Sequence, residues 1–123
     1  MIGYTTVGTN DFAQSASFYD ALLGCLGAVR TMQDNDFIAW GKDPDSTMFS
    51  IHIPHDGEAA TVGNGIMIAL VAQDSHQVNA IHQQALKLGA LDEGKPGPRG
   101  EQGFYAAYFR DLDGNKLNVH CMT

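Results

Sequence analysis

Apolar positions along the chain change period several times, and each change marks an element. Residues 2–9 are rich in β-branched side chains, which suits a strand. Asn10-Asp11 follows as a helix N-cap, with Gln14 three residues after Asp11 in the capping-box position. Phe18, Leu22 and Cys25 then recur at i, i+4 and i+7 on one helical face, and Gly24 and Gly27 end that helix. Residues 28–32, 36–41 and 48–53 read as three further strands. Asp43-Pro44-Asp45-Ser46 supplies turn chemistry between the last two. The order then recurs. Residues 66–72 read as a strand, and Asp74 caps a helix with Gln77 three residues on. Val78, Ile81, Ala85 and Leu88 form its apolar face, and Gly89 stops it. Residues 94–103 contain Gly-Lys-Pro-Gly-Pro-Arg-Gly and read as a loop, either a lid or a connector. Residues 104–110 and 116–121 are strands around the turn Asp111-Leu112-Asp113-Gly114-Asn115.

The recurrence extends to individual residues. Residues 37–52 (FIAWGKDPDSTMFSIH) align without a gap on residues 105–120 (YAAYFRDLDGNKLNVH). Ala39/Ala107, Asp43/Asp111, Asp45/Asp113 and His52/His120 are identical, and Trp40 falls opposite Tyr108. Leu26-Gly27-Ala28 recurs as Leu88-Gly89-Ala90. A repeat of this size means two copies of one supersecondary unit. The expected fold class is α+β: two βαβββ modules, about 1–55 and 65–123, joined by a linker at about 56–64. Together they form a curved mixed β-sheet in a single 123-residue domain. In each module the helix covers one sheet face and leaves the other to be buried by the second module, a partner chain or a ligand.

Composition narrows the function classes. Net charge is −7, from 14 acidic and 7 basic residues, and no Lys/Arg cluster is visible. Nucleic acid and anionic membranes are therefore poor partners. No apolar run reaches the roughly 18 residues of a membrane span. The first residues lack a secretory signal pattern, so the expected location is cytoplasmic. Cys25 and Cys121 form no CxxC and are expected to be buried reduced thiols.

The motifs Thr5-Thr6-Val7-Gly8-Thr9-Asn10-Asp11 with Phe18-Tyr19, Gly63-Asn64-Gly65, and Tyr105–Lys116 through Asp111-Leu112-Asp113-Gly114-Asn115 carry a resemblance. Over essentially its whole length the chain resembles the vicinal oxygen chelate superfamily: glyoxalase I, extradiol dioxygenases, and bleomycin- and fosfomycin-resistance proteins. The resemblance implies paired βαβββ modules, a homodimer and a small-molecule cleft. Metal-using members present His, Gln or Glu from the first and last strand of each module. The corresponding positions here are Tyr4, Ser50, Met67 and Asn118. They follow from spacings that the repeat shares: 4 to 67 as 11 to 74, and 50 to 118 as 52 to 120.

None of the four is a good ligand. Tyr binds a divalent metal only when deprotonated, with an ordinary pKa of about 10. Met is a soft thioether, and Ser and Asn are neutral. The expectation is no metal at this site and no cofactor. His52 and His120 lie two residues beyond Ser50 and Asn118, on the same strand faces. They are read either as a displaced metal or acid–base pair, or as hydrogen-bonded histidines beside the cleft. His55, His76 and His82 are expected to be solvent-exposed. The turn at 111–115 is read as a hairpin rather than a calcium loop, because position twelve is Met122. Trp40, Phe104, Tyr105 and Tyr108 are either core or ligand-stacking aromatics.

Three readings follow. The first is a metal-free protein that binds a small molecule through Tyr4, Ser50, Met67, Asn118, His52 and His120. The second is an enzyme: a lyase, isomerase or dioxygenase with a displaced metal site, or an acid–base catalyst using Tyr4 and His120. The third is a structural dimer with a vestigial pocket. The missing carboxylates at the four positions favour the first.

Overall fold

Asp11 and Asp74 each accept a backbone N–H three residues on, from Gln14 at 3.1 Å and Gln77 at 2.8 Å, and so start two 13-residue helices. In the computed structural model, which describes all 123 residues, the element order is β1 (Tyr4–Gly8), α1 (Phe12–Gly24), β2 (Val29–Gln33), β3 (Phe37–Gly41), β4 (Met48–His52), β5 (Ile68–Val71), α2 (Ser75–Lys87), β6 (Leu91–Pro98), β7 (Phe104–Arg110) and β8 (Lys116–Met122). This is βαβββ twice, an α+β fold. The chain divides into two units, Met1–Val62 and Gly63–Thr123. Each has one four-stranded mixed sheet, in the orders β1-β4-β3-β2 and β5-β8-β7-β6. In both, the first strand runs parallel to the last, and the remaining pairs are antiparallel.

Each helix buries an apolar stripe against its own sheet. In the first unit Tyr19 and Leu22 of α1 are fully buried with Ile38, Trp40 and Ile51. The Tyr19 ring lies 4.6 Å from Phe49 and 5.8 Å from Trp40, centre to centre. The Trp40 indole N–H donates to Asp20 Oδ1 at 2.9 Å, and Arg30 grips the same carboxylate at 2.8 and 2.7 Å. Trp40 is therefore core. In the second unit Val78, Ile81 and Ala85 of α2 are buried with Ala107, Phe109, Leu117 and Val119.

Three expectations need correction. Residues 94–98 are not loop: they complete β6. The strand escapes notice because its pairing with β7 shifts register between Asp92 and Gly94 and again between Gly94 and Gly97. It is an edge strand, where proline and glycine at bulges are tolerated. Second, the ungapped repeat fails on one strand. Trp40 pairs with Phe49, but Leu117, the equivalent of Phe49, pairs with Phe109. Trp40 therefore corresponds to Phe109, not Tyr108. The turn between β7 and β8 is one residue shorter than its counterpart, five residues (111–115) against six (42–47). A one-residue slip moves a side chain to the opposite sheet face, so Trp40 is 1% exposed while Tyr108 lies away from α2. Third, Cys25 is exposed because it is the C-cap of α1 rather than part of its buried stripe; Cys121 is buried, and neither is in a disulfide.

Candidate functional site

Strand alternation assigns the faces. Phe49 meets α1, so Ser50 and its partner Thr6 point away from the helix, as do Tyr4, His52, Phe37 and Ala39. Tyr4 is 58% exposed and meets the Phe37 ring edge-on at 6.2 Å. Phe37 in turn meets the His52 ring at 5.9 Å. Ser50 is fully buried, and its hydroxyl donates to the Thr5 carbonyl at 2.8 Å. In the first unit, then, Tyr4 and His52 offer polar atoms on an aromatic strip, while Ser50 spends its proton inside the sheet.

In the second unit the Tyr105 hydroxyl donates to Asn79 of α2 at 2.7 Å, so its strand neighbours Phe104, Ala106 and Tyr108 face away from α2. Asn118 pairs with Tyr108, and His120 with Ala106, on that same face. The Asn118 carbonyl oxygen lies 3.1 Å from His120 Nδ1. An amide oxygen only accepts, so Nδ1 carries the proton and Nε2 of the neutral ring is left as an acceptor. The Phe104 ring stacks on His120 at 5.3 Å. Met67 precedes β5, whose first residue is Ile68, and is 37% exposed.

The structure thus gathers Tyr4, Ser50 and His52 on one face in the first unit, and Asn118 and His120 on one face in the second. These residues do not suit a hard divalent metal. Ser50 and Asn118 offer only neutral oxygens, and nowhere do three His, Cys, Asp or Glu side chains converge. A cleft of about 210 Å³ lies elsewhere in the first unit, bounded by Thr9, Asn10, Phe12, Pro54 and Glu58.

Two residues behave differently from the sequence reading. His82 is 5% exposed, not solvated, because its Nε2 reaches Asp92 Oδ1 on β6 at 3.0 Å. The hidden strand β6 is what covers it. Asp92 also accepts the Gly94 N–H, and that bond together with His82 holds its carboxyl below the usual range. The missed residue is Arg99. Its guanidinium folds back over the Tyr108 ring at 5.4 Å, and Lys116 Nζ lies 5.6 Å from the same centroid. Glycines at 94 and 97 were the available signal: side-chain-free positions on one strand admit a large neighbour.

The sequence profile of the Glyoxalase/Bleomycin resistance protein/Dioxygenase superfamily matches residues 1–119, and the chain belongs to that superfamily. It is similar over its full length to a glyoxalase/bleomycin resistance protein from Albidiferax ferrireducens T118, with 35% identity, a TM-score of 0.90 and 99% of that chain covered. A lactoylglutathione lyase from Agrobacterium tumefaciens shares the fold at 20% identity and a TM-score of 0.70, over 98% of this chain and 92% of that one. A family enzyme from Burkholderia phytofirmans PsJN does so at 14% and 0.78, with 98% of each chain covered. No curated protein matches the chain.

Proposed function

We propose that this chain is a metal-free, small-molecule-binding member of the superfamily, and that its ligand meets Asn118 and His120 on the face of the second sheet turned away from α2. The observation that carries this is the Asn118–His120 pair. The bond at Nδ1 fixes the tautomer and leaves Nε2 as an oriented acceptor beside the Phe104 ring. An apolar wall with a few oriented polar atoms is the ordinary make-up of a ligand site. Tyr4 and His52, on their aromatic strip, supply further hydrogen-bonding atoms.

The protein acts as a homodimer in a reducing cytoplasm. Exposed apolar side chains on the outward sheet faces support the dimer, among them Val29 at 59% and Val71 at 72%. Two cysteines outside any disulfide support the compartment.

Imidazole-resolved NMR of untagged protein tests the reading while a fragment collection and Zn, Ni, Mn and Fe(II) salts are added. Fragments that shift the His120 ring and lose their effect in His120→Gln are expected. Stoichiometric metal that survives dialysis and disappears on replacing His52 or His120 overturns the metal-free reading.

A further inference from the structure

The chain has seven basic residues against fourteen acidic ones, so the placement of each cation bears on which ligands it attracts. Arg30 is neutralised by Asp20 and Arg110 by Glu93. Arg99 and Lys116 belong to no ion pair, yet both are brought over one ring, that of Tyr108. Each cation thus lies within 6 Å of the centre of the same aromatic ring, which the electron-rich faces of a tyrosine favour.

Arg99 is also held in place. Its Nη2 donates to the Lys95 carbonyl at 2.7 Å, and its Nη1 to Gly97 at 2.8 Å and Pro98 at 3.4 Å. The absence of side chains at residues 94 and 97 gives the guanidinium room. A Cβ on Gly94 lies 3.3 Å from Nη2 and 3.1 Å from Tyr108 Cδ1, and one on Gly97 lies 3.3 Å from Nη1. A guanidinium has five N–H donors, so donors remain after these bonds. Tyr108 pairs with Asn118, and the face continues to His120. Two cations and an amide–imidazole pair therefore line one sheet face.

We propose that the second unit takes a small organic carboxylate: Arg99 and Lys116 meet the anion beside Tyr108, and the rest of the molecule lies toward Asn118 and His120. A guanidinium suits a carboxylate because its parallel N–H groups match the two oxygens. The inference rests on the ligand reading above and adds the chemical class.

Benzoate, phenylacetate and pyruvate are titrated against their neutral amides, benzamide, phenylacetamide and pyruvamide, into the labelled full chain. Binding is read from the Asn118 side-chain amide and the His120 ring. The acids are expected to bind at least about tenfold more tightly than the amides, and to lose that advantage in Arg99→Gln and in Lys116→Gln. If acids and amides bind equally, the anion assignment falls while the ligand reading stands. If neither acids nor amides move the Asn118 and His120 signals, both fall. An acid preference unchanged in both variants also overturns the assignment to these two cations.

Discussion

Asp111 begins the shorter of the two equivalent turns and is only 4% exposed. Its Oδ1 accepts the backbone N–H groups of Asp113 and Asn115, both at 2.9 Å, and its Oδ2 accepts the Asn115 side-chain amide at 3.0 Å. Asp111→Ala strips all three. Hydrogen bonds to a charged group contribute about 1.5–3 kcal/mol each. Water replaces the one from half-exposed Asp113, so the two from buried Asn115 set the loss, at about 3–6 kcal/mol. For a domain with a total stability of about 5–15 kcal/mol this is a large fraction. At about 4 °C per kcal/mol, the melting temperature falls by roughly 12–24 °C. Asp43, at the equivalent turn, is exposed and accepts from Asp45 N at 2.8 Å. Asp43→Ala should cost about 0.5–1 kcal/mol. Urea unfolding followed by far-UV circular dichroism measures both, because the single Trp40 reports only on the first unit. An Asp111→Ala loss within about 1 kcal/mol of the Asp43→Ala loss refutes the argument that a buried carboxylate organises this turn.

Other outcomes follow from the same bookkeeping of partners. Asp20→Ala leaves the buried Trp40 indole N–H without its acceptor and should cost about 1–3 kcal/mol, with Asp20→Asn milder because the amide oxygen still accepts. The Arg30 hydrogen bond holds the Asp20 carboxyl below its usual 3.8. The stability this supplies is therefore full above pH of about 4 and is lost as pH falls through the lowered value, so wild type loses its advantage over Asp20→Asn in acid. Urea midpoints from pH 2 to 6 show whether the two curves converge. Gly103 has φ +89°, and a Cβ there lies 2.5 Å from the Thr123 carbonyl oxygen. Gly103→Ala should cost about 1–2 kcal/mol in backbone strain and release Thr123, whose N–H and hydroxyl both bond the Gly103 carbonyl. Faster amide exchange at Thr123 is the readout.

What the sequence disclosed tracks how local each signal is. Both helices were legible because an Asp cap and a run of apolar residues at helical spacing lie within a few residues of each other. The outward faces of β4 and β8 were legible because strand alternation needs only one anchored residue. β6 was not, because its Gly and Pro residues lower strand propensity and only pairing with β7 compensates. The burial of His82 followed from the same strand, through Asp92. The Trp40/Tyr108 equivalence failed because a turn shortened by one residue leaves identical aspartates aligned while the preceding strand slips. Arg99 was placed by sequence on a flexible segment, and its seat on Tyr108 depends on three carbonyls and two absent side chains that no spacing rule joins.

The parallel pairing of first strand with last has a consequence for how the chain emerges from the ribosome. β1 has one neighbour in its sheet, β4, and Tyr4 pairs with Met48. Until residue 52 is made, the β1 backbone waits unpaired, an open template for other nascent chains. The second unit is more demanding, because β8 lies between β5 and β7 and is translated last. A stop codon at position 116 removes an interior strand and strips two others of a partner. Termination at residue 116 should therefore be as damaging to the second unit as termination much earlier in it.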